Sequence, residues 1–258
     1  MSPGLSSHTT MQLVRNFWQS QVGKKVVMAV TGLIGVGFVI GHMAGNLQMF
    51  EGPEKINSYA HFLHGTMGNA LWVVRLVLLA AVVLHVTAAV QLTRQKQAAR
   101  PAAYGYKKWE PQVSTFASRS IRWGGAYLLF WLIFHILHFT ARAIFPGYSE
   151  TDVYGNVIKG FSHPAVVAAY VLAMAFLALH LYHGAWSSVR TLGLSRPRPR
   201  PTSRNVAAAV AILVSLGFVA VPLAVLFGVV RPRADSATAG LPAQAAAPAR
   251  APAVAAQR

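Results

Sequence analysis

The sequence contains no cysteine among its 258 residues. This absence excludes disulfides, thiolate metal sites, Cys-ligated iron–sulfur clusters and covalently attached c-type haem. Charged residues are also scarce, at 11% of the chain, whereas a soluble domain carries about a quarter. Because 54% of the residues are hydrophobic and the mean hydropathy is +0.44, much of the surface must face something other than water.

Five apolar stretches account for this composition. Each has roughly 20–25 residues, enough at about 1.5 Å per residue to cross a hydrocarbon core of about 30 Å. They lie near 26–47, 68–92, 121–144, 164–188 and 206–230. The first is too long for a cleaved signal peptide and contains His42 and Asn46. The sequence therefore predicts an all-α polytopic membrane bundle of five transmembrane helices over 26–230. An inner N-terminal segment (1–25) precedes it, and a disordered Ala/Pro-rich tail (231–258) follows.

The basic residues are distributed unequally between the two sides of such a bundle. With the N-terminus inside, fifteen Lys and Arg residues fall on inner segments and three fall in or beside the two outer loops, 48–67 and 145–163. This is the positive-inside pattern, and it predicts a C-terminus outside. The net charge of +17 follows from topology, because no folded soluble domain offers a basic face to nucleic acid. The inner fifteen are Arg15, Lys24, Lys25, Arg94, Lys96, Arg100, Lys107, Lys108, Arg119, Arg122, Arg190, Arg196, Arg198, Arg200 and Arg204; the outer three are Lys55, Arg142 and Lys159.

Four of the ten histidines lie deep inside the predicted spans. His42 and His135 are on outward-running helices, near the outer face, whereas His85 and His180 are on inward-running helices, near the inner face. A polar ring in hydrocarbon is costly unless it faces the bundle interior and meets a partner, such as another helix. Two facing neutral imidazoles can also ligate one haem iron axially. Four histidines paired by depth favour two such sites.

Other residues fit the same interpretation without requiring it. Gly37, Gly41 and Gly45 form a helical row beside His42, which either makes room for a macrocycle or allows close helix packing. His138 and His183 lie three residues after His135 and His180, on nearly the same faces, so depth cannot choose within each couple. Anionic haem propionates need donors at the membrane edge. The inner helix ends offer Lys24, Lys25, Arg122, Trp123, Ser187 and Arg190.

Several segments resemble one family of membrane cytochromes. They are Gly41-His-Met-Ala-Gly-Asn-Leu47, Tyr59-Ala-His-Phe62, Phe134-His-Ile-Leu-His138 and His180-Leu-Tyr-His-Gly-Ala-Trp-Ser187. In order and spacing they resemble the cytochrome b558 membrane anchor of succinate:quinone and quinol:fumarate oxidoreductases, in its single-subunit, five-helix, two-haem form. The likeness covers about residues 15–230.

The resemblance implies a ligand set. One ligand comes from each of the first four helices, here His42, His85, His135 and His180. The family pairs the first with the third around the distal haem, and the second with the fourth around the proximal haem. Some fumarate reductase members carry an acidic residue two positions before the last ligand, for proton compensation. Ala178 stands at that position here.

The resemblance also implies partners and a place in the cell. The chain would anchor a flavoprotein and an iron–sulfur subunit in a bacterial cytoplasmic membrane, and it would exchange electrons with quinone, typically menaquinone, without itself oxidising succinate. The family places the quinone site near the distal haem. The candidates on that side are Glu51, His61, His64, Asn46 and Gln48.

Two other functions compete with this one. The chain could be a haem b anchor of another quinone-linked enzyme, such as a hydrogenase or a formate dehydrogenase, although those differ in helix count and ligand arrangement. It could also be a haem-free transporter or assembly protein that uses the histidines as proton relays. Transporters commonly show internal repeats and broken helices at the midplane, and neither is evident in this sequence.

Overall fold

A computed structural model describes residues 7–99, 115–194 and 201–232. All regular secondary structure in these ranges is helical. The bounds are α1 Ser7–Gln19, α2 Gln21–Leu47, α3 Pro53–His64, α4 Gly68–Ala98, α5 Phe116–His135, α6 Val153–Phe161, α7 Pro164–Thr191 and α8 Pro201–Leu226. The predicted tail from residue 233, the linker 195–200 and the inner-loop residues 100–114, with their basic side chains, lie outside the described residues.

Five of these helices are long and apolar enough to cross a membrane, as the sequence predicts. They are α2 with the 3₁₀ turn Gln48–Glu51 after it, α4, α5 with the π-helical turn Ile136–Thr140 after it, α7, and α8 from Ser203. Most of their apolar surface is not buried within the chain, which is the expected state of helices that face lipid.

Local sequence signals set where several helices begin. The Ser20 hydroxyl caps α2 by accepting a hydrogen bond from the Gly23 amide (2.8 Å), and Thr115 caps α5 in the same way through Ser118 (3.2 Å). Pro164 occupies the first turn of α7, as its position before an apolar run predicts. Helix α1 leaves Phe17 exposed at 47%, which suits an aromatic side chain at a membrane interface.

The transmembrane helices pack around two central ones. Helix α7 contacts α8, α5 and α2, and α2 contacts α4 as well. Neither α2 with α5 nor α4 with α7 is among the closely packed pairs of the described helices. Side chains that meet across these pairs must therefore bridge a wider gap in the bundle.

The two loops that the sequence predicts to be outer contain helices that it does not predict, and the two ends of the bundle are named outer and inner after that predicted topology. Helix α3 lies in 48–67 and α6 in 145–163. The Asn57 side chain joins them, since its amide nitrogen donates to Asp152 Oδ1 (3.0 Å) and its oxygen accepts from the Tyr154 amide (3.0 Å). Met49, Ile56, Phe161 and the outer ends of α7 and α8 form one apolar core beneath them. The outer face is therefore a folded cap that covers the ends of the spans.

Candidate functional site

The structure brings His42 and His135 together near the outer end of the bundle. Their ring centres lie 5.9 Å apart, with the planes at 71°. His42 stacks on Phe38 (5.4 Å, 11°), and His135 stacks on Trp131 (5.2 Å, 17°). Phe218 of α8 closes the side of His42 at 5.6 Å. Aromatic neighbours thus restrict the orientation of both rings, which meet in a T-shaped arrangement.

His85 and His180 form a second pair near the inner end, with ring centres 6.1 Å apart. His85 Nδ1 lies 3.1 Å from the Met28 carbonyl oxygen and 3.2 Å from Thr31 Oγ1. Because a carbonyl only accepts, Nδ1 must carry the hydrogen, and the lone pair of His85 is on Nε2. His180 Nδ1 is buried without a hydrogen-bond partner among the described residues. The inner pair therefore has ring nitrogens available for a ligand.

Both spacings suit one metal ion held between two imidazoles. An imidazole nitrogen binds a transition metal at about 2.0–2.1 Å and lies about 1.1 Å from its own ring centre, so a linear pair places the ring centres about 6.3 Å apart. The observed distances are 5.9 and 6.1 Å. Within the described ranges, no group of three or more His, Asp or Glu side chains could hold a metal ion. Two imidazoles per site fit a metal whose other ligands come from a cofactor, as in haem.

The surroundings of the pairs leave room for such a cofactor. All four rings are only partly buried, although they lie at a depth where the bilayer offers no water. A Cβ added at Gly37 or Gly41 would meet nothing within 4 Å, whereas one at Gly45 would lie 3.0 Å from the Tyr59 ring. The glycine row therefore divides: Gly45 serves close packing, and the other two border open space.

His138 differs from the four paired rings. It is fully buried, and both of its nitrogens are within hydrogen-bond distance of tyrosine hydroxyls: Nδ1 of Tyr170 (2.9 Å) and Nε2 of Tyr148 (2.8 Å). Neither nitrogen is available to a metal while these bonds persist. His183 makes no ring contact with the paired histidines in the described part of the chain. Between the alternatives left by the sequence, the geometry favours His135 and His180.

The six candidate propionate partners do not form one site. Lys25, Ser187 and Arg190 line one groove of about 390 Å³ together with Trp186, whose indole N–H is buried without a partner in the described part of the chain. Arg190 and Arg204 both lie over the Trp186 ring, at 5.1 and 4.5 Å. Lys24 is buried elsewhere and donates to the Gln19 carbonyl (3.1 Å). Arg122 is exposed, as is Trp123, at 80%.

The quinone-site candidates also separate. Asn46 Nδ2 lies 3.5 Å from His42 Nε2, and Gln48 Oε1 is buried without a partner among the described residues. Glu51 is exposed and pairs with Lys55 (3.6 Å), and His61 is exposed. His64 Nδ1 donates to the Ala60 carbonyl (2.8 Å), and its Nε2 lies 3.5 Å from Arg75. Of the five candidates, Asn46 is the one with a polar contact to a paired histidine.

Sequence reasoning missed Tyr170. Its hydroxyl lies 3.2 Å from His135 Nδ1, so it contacts the outer pair directly. A tyrosine six residues into an apolar span gives no pattern that marks it, because its partners are on a different helix. Trp186 belongs to the segment His180–Ser187, but the sequence does not predict the groove that this side chain lines.

Comparisons with protein-family models, with curated proteins and with solved structures find no match. The chemistry of the site must therefore be argued from its own residues. Two pairs of imidazoles at two depths, with ring centres 5.9 and 6.1 Å apart, are spaced so that each pair could hold one low-spin metal centre.

Proposed function

We propose that this chain is a di-haem cytochrome b, the membrane anchor and electron-transfer subunit of a succinate:quinone oxidoreductase. The single observation that supports it best is the meeting of four intramembrane histidines as two pairs, with ring centres 5.9 and 6.1 Å apart. Under this proposal His42 and His135 hold an outer haem b, and His85 and His180 hold an inner one. Haem, when bound, supplies an iron that takes up and releases single electrons.

The chain's own residues supply orientation, insulation and charge. Stacking on Phe38 and Trp131 restricts the outer rings, and the Met28 carbonyl fixes the tautomer of His85. The apolar spans exclude water from both pairs. At the inner edge, Lys25 and Arg190 place positive charge beside the Trp186 indole N–H, where an anionic propionate could be neutralised.

Quinone exchange belongs, in this proposal, to the outer side. Asn46 and Gln48 are amides at the outer end of the α2 span. Asn46 lies 3.5 Å from His42, and the oxygen of Gln48 has no partner of its own in the described chain. An amide can donate to a quinone carbonyl or accept from a quinol hydroxyl. Menaquinone is the species that the resemblance implies. The partners would be a flavoprotein and an iron–sulfur subunit on the inner face of a bacterial cytoplasmic membrane, with the N-terminus inside.

Haem content tests the cytochrome part of the proposal. The purified chain should show a reduced-minus-oxidised b-type spectrum and two haems per polypeptide. His85→Ala should remove or disturb one haem and leave the other detectable, and His135→Ala should affect the other one. His183→Ala is the matched control, because it removes an intramembrane histidine outside both pairs. A wild-type chain without a b-type band, or a His85→Ala variant with both haems intact, would contradict the assignment.

Co-purification tests the anchor part. Affinity purification from gently solubilised membranes should recover a flavoprotein and an iron–sulfur protein with succinate dehydrogenase or fumarate reductase activity. Recovery of a hydrogenase or a formate dehydrogenase instead would leave the cytochrome assignment standing and would contradict the proposed partner enzyme. Recovery of two haems with no partner would contradict the anchor role alone.

A further inference from the structure

Four side chains join the outer histidine pair to the outer cap through hydrogen bonds. His135 Nδ1 lies 3.2 Å from the Tyr170 hydroxyl, Tyr170 lies 2.9 Å from His138 Nδ1, and His138 Nε2 lies 2.8 Å from the Tyr148 hydroxyl. We name this series the His–Tyr chain. Its four members lie, in order, on α5, on α7, in the π-helical turn and in the loop before α6. It therefore connects a transmembrane pair with a part of the protein outside the spans.

The two middle members of the His–Tyr chain are held firmly. His138 is 0% exposed and Tyr170 is 6% exposed. The Phe139 ring stacks on His138 at 3.9 Å, and Phe161 lies against the Tyr170 ring at 4.9 Å. With aromatic rings around them, neither side chain can turn toward solvent without opening the core. The hydrogen bonds are consequently a fixed part of the fold.

The hydrogens of this series can be assigned in one consistent direction. If His135 keeps the lone pair on Nε2, its Nδ1–H donates to Tyr170, and the Tyr170 hydroxyl donates to His138 Nδ1. Neutral His138 then carries its hydrogen on Nε2 and donates it to Tyr148. Burial raises the pKa of Tyr148 to about 12, so its hydroxyl remains protonated at neutral pH. Every member of the series then has a donor and an acceptor in the right place.

We propose that Tyr170 is a positioning residue that, backed by His138 and Tyr148, holds His135 with Nδ1 protonated and Nε2 turned toward His42. This inference rests on the proposed function, because the feature that it fixes is the metal-binding nitrogen of a haem ligand. A hydrogen bond accepted from the far nitrogen of a ligating imidazole raises the basicity of the ligand. A more basic ligand stabilises the oxidised iron, so Tyr170 holds the potential of the outer haem down.

Among the described residues, the inner pair has no corresponding series: the Thr31 hydroxyl lies 3.2 Å from His85 Nδ1 but donates to the Val27 carbonyl (2.7 Å). His85 donates to a main-chain carbonyl, the Met28 oxygen at 3.1 Å, which no side-chain substitution removes. The two pairs therefore differ in what fixes their ligands. A change in the His–Tyr chain should affect one haem and spare the other.

The test is a redox titration of the purified Tyr170→Phe variant, in its complex, with each haem followed by its optical band and its low-spin EPR signal. The expected result is two haems per chain, an upward shift of the midpoint potential of the outer haem with a changed EPR signal, and an unchanged inner haem. Tyr127→Phe is the matched control. It removes another hydroxyl between α5 and α7, one that donates to the Ala169 carbonyl (3.4 Å) and contacts no histidine among the described residues.

A second variant keeps the inference testable if Tyr170→Phe fails to assemble. Tyr148→Phe changes the outer end of the series, in a loop, and should shift the same haem in the same direction by a smaller amount. If the wild-type complex holds two haems and neither variant shifts the midpoint potential of the outer haem more than the Tyr127→Phe control does, the positioning role is wrong and the proposed function stands. If the wild type holds no haem, both are wrong.

Discussion

The separation of the two histidine pairs predicts how strongly a membrane potential acts between them. Thr31, which contacts His85, and His42 are on the same helix, eleven residues apart. Tyr170, which contacts His135, and His180 are likewise on one helix, ten residues apart. At about 1.5 Å per residue, the two counts place the pairs about 15–17 Å apart along the bundle. This is about half of a hydrocarbon core of about 30 Å.

An electron that passes from the inner haem to the outer one therefore crosses about half of the potential. A full crossing involves about 2.3 kcal/mol per 100 mV, so half involves about 1.2 kcal/mol. When the inside is negative, the potential favours an electron on the outer haem. A potential of about 100 mV should raise the ratio of outer-reduced to inner-reduced protein by about sevenfold, since about 1.4 kcal/mol corresponds to tenfold.

The assay uses right-side-out membrane vesicles poised so that about one electron is present per cytochrome. A potassium gradient with valinomycin imposes the potential, and the two b-type bands report where the electron resides. The outer band is identified beforehand as the one lost in His135→Ala. Reversing the gradient should reverse the shift, and the detergent-solubilised protein should show none. If the ratio of outer-reduced to inner-reduced protein does not change with the imposed potential, the two-depth arrangement is wrong. If the ratio changes as much as a crossing of the full potential requires, the separation of about half of the core is wrong.

Three further predictions follow from topology, packing and electron flow. A reporter enzyme that works only after export should be active when fused after residue 258, because fifteen inner against three outer basic residues predict an outer C-terminus. Activity confined to a reporter that works in the cytoplasm would contradict this. Gly160→Ala should lower the unfolding free energy by about 1–3 kcal/mol in a denaturant titration, because its Cβ would lie 2.7 Å from the Tyr148 hydroxyl and 2.8 Å from His138 Nε2. Gly184→Ala, with nothing within 4 Å, should not lower it. In intact cells, succinate oxidation by menaquinone should slow when an uncoupler collapses the potential, because a potential that is negative inside favours electron transfer from the inner to the outer haem. An equal rate with and without uncoupler would place the quinone site on the inner side.

The sequence predicts the spans well because their signal is local. Twenty or more apolar residues in a row can be read without knowledge of any neighbour, and each of the five stretches corresponds to a long helix. The third and fifth of these helices begin and end four or five residues earlier than the predicted stretches. The depth of each histidine follows from counting along its span. That count groups His42 with His135 and His85 with His180, which are the rings that the structure brings together. Helix direction and length were sufficient for this part.

Contacts between distant segments could not be predicted in the same way. Tyr170 meets His135 across 35 residues, and Asn57 meets Asp152 across 95. Such contacts depend on how the helices rotate about their axes, and a nearly uniform apolar surface does not specify that rotation. Helices α3 and α6, with 12 and 9 residues, are too short for composition alone to reveal. The division of the glycine row, with Gly45 packed on Tyr59, also depends on a partner outside the row.

Thr31→Val provides a final comparison between the two pairs. The Thr31 hydroxyl donates to the Val27 carbonyl (2.7 Å) and lies 3.2 Å from His85 Nδ1, but the Met28 carbonyl remains as an acceptor at 3.1 Å. We therefore expect Thr31→Val to keep the tautomer of His85. It should shift the midpoint potential of the inner haem less than Tyr170→Phe shifts that of the outer haem. Loss of a buried hydroxyl should still cost about 1 kcal/mol of stability, measured by thermal unfolding of the complex. A shift of the inner haem as large as that caused by Tyr170→Phe would show that a hydroxyl, and not the carbonyl, holds His85. The contrast between a main-chain and a side-chain acceptor would then be wrong.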